Sequence, residues 1–438
     1  MRNTVFFSGA IREAAKILSR ALLPDGVGPT VLIRDISGRI SIALDVERSG
    51  HQDFIEKLEK EMAAGGAYAA SPAVLCADDF FEPDVIFKDA SIVEFLEPGT
   101  EHPVRLLDRQ VTGEDWLPGG SQPAAEFSVP HLVFFGVKGG VGRSTALAIL
   151  AYHLAKAGKQ VLLIDLDLES PGLSGLLLPP DRLADFGVVD WLLEDAVGQG
   201  AEVCERMISV SPLSQNLRHE IRIAAAVGNG YDFYLDKLSR AYADVAEGQQ
   251  PKRFSERVQR LVRTLEKRER PDVVLIDSRA GLHDLAALSI VGLASTAFLF
   301  ATDAAACWQG YRSLFAHWQS RPQVARRVRE RLKMVSALFP ETDQAARARG
   351  FLERSHILFT ETLYDEVTPG GGEDPDLFNF DMENNAAPHY PLRIRWNSRF
   401  QEFDPLQIPK GLFGEDEIRA AYGEFVDGVI QLIEGAEV

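Results

Sequence analysis

The sequence predicts a two-part α/β protein: a mostly parallel sheet with helices on both faces, preceded by a small α+β domain. Two observations carry this. The runs "HLVFFGV", "QVLLID", "DVVLID" and "TAFLFA" are apolar on both faces and alternate with helical segments. Strands buried on both sides and separated by helices belong in a parallel sheet covered above and below. The stretch "WLPGGSQPAAEFSVP", Trp116 to Pro130, mixes Pro, Gly and Ser without periodicity, as a linker does. The expected organisation is therefore a domain over 1–116, a linker over 117–130 and a larger domain over 131–438.

Within the first domain, "AIREAAKILSRAL" reads as a helix. "TVLIRDISGRISIALDV" alternates apolar and polar residues on either side of Ser37-Gly38, which reads as a hairpin. "QDFIEKLEKEM" places Phe54, Ile55, Leu58 and Met62 on one helical face. "DVIFKD" and "PVRLLDRQV" are expected to add strands. Arg109 with Asp115-Trp116 is either a recognition patch or, as we favour, a structural ion pair beside a packed tryptophan. Nothing here has catalytic spacing.

Composition narrows the class. A formal net charge of −18 over 438 residues excludes a surface given over wholly to nucleic acid or acidic lipid, while leaving room for a local basic patch. Cys76, Cys204 and Cys307 lie far apart without a CxxC pair, as isolated thiols of a reducing compartment do. The start lacks the pattern of a signal peptide. "AALSIVGLASTAFLFA" is too short and too interrupted to span a bilayer, and reads as a buried helix ending near Gly292 followed by a buried strand. The expected location is cytoplasmic, away from membranes.

The chemistry gathers where strands end. The first strand of the larger domain runs into Lys138-Gly139-Gly140-Val141-Gly142-Arg143-Ser144-Thr145, and a helix follows. Glycines permit positive φ and let backbone N–H groups approach an anion, to which the helix N-terminus adds its partial charge. Ser144 supplies a hydroxyl suited to Mg²⁺. Against G-x-x-x-x-G-K-[ST], Val137 holds the first glycine position, with Gly136 one residue early, and Arg143 replaces lysine. The next strand ends in "LIDLDLESPGLS", putting Asp165 and Asp167 at its mouth: one for the metal side, the other to polarise water. The third element, "PDVVLIDSRAGLHD", carries Asp277 at a strand end and Gly281 four residues on, the form of a Walker B strand with a loop free to move.

These three motifs, in this order, resemble the ParA/MinD group of deviant-Walker P-loop ATPases, and within it the subgroup whose loop reads KGGVGR. The resemblance covers Val129 to about Phe339. It implies a P-loop NTPase fold, ATP and Mg²⁺ as ligands, and a homodimer formed on ATP binding. In that family the lysine matched by Lys138 reaches across the dimer to the partner's phosphates, and the position of Arg143 contacts the β- and γ-phosphates in cis. Ser144 is matched to the Mg²⁺ ligand, Thr145 to an α-phosphate contact, Asp167 to the residue that orients water and Asp277 to the metal shell. Lys138 and Asp167 are thus the expected catalytic residues. Residues 138–145 are the expected nucleotide cradle, and Ser144, Asp165 and Asp277 the expected metal side. Arginine at 143 keeps the charge on a longer, planar group, which puts the hydrolysis rate, rather than binding, at issue.

Several relatives are set aside. No cysteine lies near the loop or just after Asp277, as an iron–sulfur relative requires. The tail offers only Tyr422 where tyrosine kinases of this fold carry a cluster. The last helix is acidic, unlike a basic membrane anchor. No N-K-x-D is present, which favours adenine over guanine, although "KMVSALFPETD" lacks the family's adenine-contacting asparagine.

Two charged stretches remain. "RPQVARRVRERLK" concentrates Arg321, Arg326, Arg327, Arg329, Arg331 and Lys333; non-specific DNA binding is one reading, a solvated helix face the favoured one. An acidic insertion near 361–387, with Phe378 and Phe380 interleaved, reads as a flexible insertion or a partner-docking loop. The expected function is an Mg·ATP-dependent dimerising switch with slow hydrolysis, acting on an unidentified protein partner. A non-hydrolysing ATP sensor is the first alternative, and a ligase-like metabolic enzyme of the same fold the second.

Overall fold

The computed structural model describes residues 5–21, 23–24, 27–64, 66–89, 92–95, 103–117, 127–230, 233–247, 250–367, 377–401, 403–411 and 414–436. Contacts divide the chain into two compact units, one built on Met1–Glu114, the other on Asp115–Leu117 and Pro123–Val438. Most of the expected linker lies outside the described residues.

The first unit is a mixed sheet with two long helices and a short one. Strands β1 (Val31–Arg34) and β2 (Ile40–Leu44) form the expected antiparallel hairpin. Its turn is held by Asp35, whose Oδ1 accepts from the Ser37 and Arg39 amides at 2.8 Å each, and by Gly38 at φ +83°. With β3 (Ala69–Cys76), β4 (Val93–Phe95) and β5 (Val104–Asp108), the order is β3-β2-β1-β5-β4. Helices Phe7–Arg20 and Gln52–Ala64 accompany it; the second buries Ile55, Leu58 and Met62, with Phe54 half-buried. "DVIFKD" is not a strand. Pro83–Phe87 forms a short helix, because proline at its start has the helical φ already fixed and Lys88 pairs with Asp84 at 2.8 Å one turn back. Arg109 pairs with Asp89 at 3.3 Å inside this unit.

Trp116 belongs to the second unit, 5% exposed, with its ring 6.3 Å from Phe135 and 5.9 Å from Trp318. That unit is organised by eight strands: β6 (His131–Gly136), β7 (Val161–Leu166), β8 (Ile208–Val210), β9 (Ile221–Ala224), β12 (Val273–Ser278), β13 (Thr296–Ala301), β14 (Leu332–Phe339) and β15 (Leu392–Arg395). A small hairpin, β10 (Val245–Glu247) with β11 (Gln250–Lys252), stands outside the sheet. The order is β15-β14-β13-β6-β12-β7-β9-β8, and all neighbours are parallel except β8.

Two-faced burial explains the uninterrupted apolar runs. Val133 and Phe135 enter one core, while Leu132 and Phe134 enter the other. Helices Val188–Ala196, Phe254–Glu269, Ala305–Gln319 and Gln344–Thr362 cover the first face; Arg143–Lys156 and Glu415–Ala436 cover the second. The expected buried helix before β13 runs as Asp284–Ala287 and then widens to a π-helical turn over Leu288–Leu293. The terminal helix buries Ile418, Tyr422, Phe425 and Val429, so its one tyrosine is a core residue. All three cysteines are free and buried. Among the described residues no helix is long and apolar enough to cross a membrane.

The charged stretches resolve differently from their composition. Residues 368–376 of the acidic insertion lie outside the described residues, but Phe378 and Phe380 are partly buried against the first core, 5.7 and 5.6 Å from Tyr364. They complete the core rather than forming an exposed docking edge. Two cations of the basic segment are internal. Arg329 is 8% exposed, holds both oxygens of Asp365 at 2.7 and 2.8 Å, and lies over the Phe378 ring. Lys333 is buried on the carbonyls of Asn385 and Ala387 at 3.0 and 2.9 Å, where burial brings its pKa down to about 8. These cations hold the chain's own later segment.

Arg329→Ala is therefore expected to destabilise the protein by about 2–4 kcal/mol, since it unpairs Asp365 and strips Phe378 of its cover. The exposed Arg326→Ala should cost no more than about 0.5 kcal/mol. Equilibrium urea unfolding of both variants distinguishes them; equal midpoints would contradict this assignment.

Candidate functional site

Three loops meet at the carboxyl edge of the central strands, where parallel α/β sheets place their ligands. β6 and β12 are neighbours, as are β12 and β7. The loop after β6 therefore lies beside Asp277, and Asp277 stands in register with Asp165.

The loop over 137–142 is open and shaped by glycine. Gly140 and Gly142 adopt φ of +73° and +78°, a region that penalises side chains. A Cβ at Gly139 or Gly140 would meet nothing within 4 Å, so the loop's inner rim is free to receive a group. Lys138, Gly139 and Gly140 are exposed, while Val141 is buried beneath them. The helix Arg143–Lys156 starts immediately after, with Gly142 as its N-cap. Ser144 and Thr145 sit half-buried in its first turn.

Val137, standing where the strict pattern has glycine, is accommodated by a helix packed on the same face of the sheet. A Cβ on Gly310 of the helix Ala305–Gln319 would collide with Val137 Cγ1. Gly136 serves Arg143 in the same way: its absent Cβ would lie 3.3 Å from Arg143 Cδ and 3.1 Å from the Lys138 carbonyl. The displaced glycine thus makes room for the longer cation.

Arg143 is 7% exposed and turned inward. Its Nη1 donates to the Ser278 carbonyl, and its Nη2 lies 3.5 Å from Asp167 Oδ2. A cation at a helix N-terminus opposes the helix dipole, and these two acceptors offset that cost. Ser144 Oγ donates to Asp277 Oδ2 at 2.6 Å, and Asp277 Oδ1 is buried without a partner among the described residues. Asp165 faces its own loop, its two oxygens accepting from the amides of Asp167 at 3.1 Å and Leu173 at 3.2 Å.

The carboxylates are crowded. Burial, then the charge of Asp277, pushes the Asp165 pKa well above the usual carboxylate range. Burial raises Asp277 against the opposing pull of Arg143 and the Ser144 hydroxyl. Asp167 is also raised by burial, with Arg143 pulling the other way. A divalent cation fits this set: hard oxygen donors, excess negative charge and one orphaned carboxylate oxygen beside a serine hydroxyl. A nucleotide's phosphates fit the open glycine rim and the helix N-terminus.

The structure brings together all the residues singled out from sequence: Lys138 to Thr145, Asp165, Asp167 and Asp277 share one edge. Sequence reading did not find Gly310, Glu169, Arg279, Tyr234 or Tyr242. Glu169 and Arg279 each stand two residues beyond a marked aspartate, a signal present in the string. Gly310 carries none, because its role exists only against Val137.

Two expectations follow. Gly310→Ala should overpack the strand end, costing about 1–3 kcal/mol and weakening nucleotide binding, and Val137→Ala should restore both. Thermal unfolding and calorimetric titration check this; a tolerated Gly310→Ala would remove the packing argument. The second concerns pH. Because the Asp165 and Asp277 pKa values are raised in the fold, the stability linked to their protons is present below the unfolded carboxylate pKa. It is lost as pH climbs through the raised values. Metal-free Asp277→Asn should therefore gain stability relative to wild type as pH rises above the ordinary carboxylate range. Parallel pH–stability curves would refute it.

Residues 132–290 match the family model of the CobQ/CobB/MinD/ParA nucleotide binding domain. No curated protein matches the chain by sequence. Among solved structures it is similar to ParA of pNOB8 bound to nonspecific DNA, at 16% identity and a TM-score of 0.44, covering 70% of this chain and 99% of that one. It is similar to MinD from Aquifex aeolicus at 14% identity and a TM-score of 0.41, covering 69% and 98%. It is also similar to cobyrinic acid a,c-diamide synthase from Mycobacterium smegmatis, bound to an ATP analogue and magnesium. There the identity is 20%, the TM-score 0.37, and the coverage 52% and 82%.

Proposed function

Because residues 132–290 carry a nucleotide-binding domain of the ParA/MinD type, we propose that the chain is an Mg·ATP-dependent dimerising switch that hydrolyses ATP slowly and acts on a protein partner. The observation that carries this reading is the edge where the open glycine loop, the Ser144–Asp277 pair and Asp167 converge. Backbone amides of 139–145 receive the phosphates, Ser144 and Asp277 hold Mg²⁺ with Asp165 alongside, and Asp167 orients the attacking water. Magnesium bound with ATP neutralises charge on the phosphates. The remaining work is positioning: Lys138, exposed at the loop's tip, is free to reach a second copy of the chain. Arg143 must exchange the Ser278 carbonyl and Asp167 for phosphate oxygens. That exchange frees Asp167 at the moment nucleotide arrives.

The same contact favours a second reading. An arginine satisfied by its own protein costs more to redirect than a solvated lysine, so the chain would bind ATP as a sensor and turn it over hardly at all. DNA is a weaker partner proposal, since Arg329 and Lys333 of the basic segment face inward.

Phosphate release and light scattering decide between them. The switch requires a dimer with a slowly hydrolysed ATP analogue and slow release in wild type. Lys138→Ala should bind ATP with its usual affinity yet stay monomeric, and Asp167→Ala should bind but release no phosphate. Arg143→Lys should retain binding and hydrolyse as fast or faster. Binding without any release, in both wild type and Arg143→Lys, selects the sensor; no ATP binding at all sinks both.

A further inference from the structure

Glu169 lies two residues past Asp167, on the loop that leaves β7, and Arg279 two residues past Asp277, on the loop that leaves β12. Arg279 Nη1 donates to Glu169 Oε1 at 2.5 Å. The same oxygen accepts from the Tyr242 hydroxyl, and His283 Nε2 stands 3.9 Å from it. Tyr234, at the other end of the helix Tyr234–Ala241, donates its hydroxyl to the Leu168 carbonyl at 2.6 Å. Glu169 Oε2 is buried without a partner among the described residues, so the carboxylate is held through Oε1 alone. Three segments therefore converge on one oxygen: the loop carrying Asp167, the loop carrying Asp277, and the capping end of a helix that grips the first loop twice.

We propose that Glu169 and Arg279 are positioning residues that tie the water-side loop to the metal-side loop, so that Asp167 and Asp277 are set in place together. This rests on the proposed ATPase reading for its kinetic consequence, but not for its structural one. The geometry argues for a tie over a surface ion pair. Both side chains are mostly buried, with 28% of Arg279 and 24% of Glu169 exposed, and the pair spans two strands. Each partner's loop is also anchored to the site. The amides of Asp167 and Leu173 bond Asp165, and the Gly281 amide donates to the Gly136 carbonyl at 3.1 Å, against the glycine loop. Gly281 itself has φ +88°, the conformation that lets the second loop turn back onto the first. With Arg279 removed, Glu169 keeps the Tyr242 hydroxyl and the more distant His283 ring, and a mostly buried carboxylate so poorly partnered turns toward water and takes its loop with it.

Hydrogen exchange on the full-length chain without nucleotide tests the tie directly. Arg279→Ala should speed exchange of the Asp167 and Leu173 amides by about tenfold, although the substitution lies on the other loop. Glu169→Gln should do the same to the Gly281 amide, and Arg279→Lys should restore most of the protection. Exchange that rises only in the substituted loop would overturn the proposal. In turnover, either single variant should lower kcat by about tenfold with ATP affinity unchanged within about twofold, and the double variant should be no worse than either single. Additive losses, or an ATP affinity that falls with Arg279→Ala, would show that Arg279 acts on the phosphates directly and not through Glu169. If wild type releases no phosphate, the ATPase reading fails while the exchange experiment still decides the tie.

Discussion

Two buried carboxylates side by side are the constraint around which the second unit is arranged. Parallel pairing sets Asp277 in register with Asp165 at the ends of adjacent strands, where neither is solvated. Like charges so placed cannot both ionise cheaply. The neighbours answer this in pieces: two backbone amides for Asp165, the Ser144 hydroxyl for Asp277, and the guanidinium of Arg143 between the β7 and β12 edges. What is left over is an orphaned oxygen and an excess of negative charge, which a divalent cation would offset.

Arg143 ties that constraint to the glycine loop. Its inward pose packs closely on Gly136, where an added Cβ would crowd it, and the neighbouring Val137 needs Gly310 to have no side chain. The departure from a lysine-bearing loop is thus a set of linked choices rather than one substitution. Planar, five-donor arginine can serve a carbonyl and a carboxylate at once, which lysine's single ammonium does less well at this reach. The consequence is a site whose cation is already occupied before any ligand arrives.

Beyond the loop, cations that composition groups together do separate jobs. Arg329 holds Asp365, Lys333 holds the carbonyls of Asn385 and Ala387, and Arg279 holds Glu169. A run of basic residues is legible in the sequence as charge, yet two of its members are spent on carbonyls and a single aspartate of the same chain. Phe378 and Phe380 tell the same story for the acidic insertion: interleaved aromatics in a polar stretch are core residues here, because Arg329 and Tyr364 cover them.

The sequence by itself determined the parallel sheet, the hairpin of the first unit and the candidate residues that the fold brings to one strand edge. Each of these is written in local pattern: apolar runs without alternation, alternation about Ser37-Gly38, and glycines or aspartates at strand ends. It misjudged "DVIFKD", where β-branched and aromatic residues suggest a strand but Pro83 starts a helix turn. Only the tertiary structure decided where Arg143 points, why Val137 is tolerated, which basic residues are internal, and that Glu169 meets Arg279. The physical reason is common to all four. Each depends on a partner more than a hundred residues away or on a neighbouring element, such as Ser278 for Arg143 and Gly310 for Val137. Those distances close only when β6, β7 and β12 pair and the helices settle onto their faces.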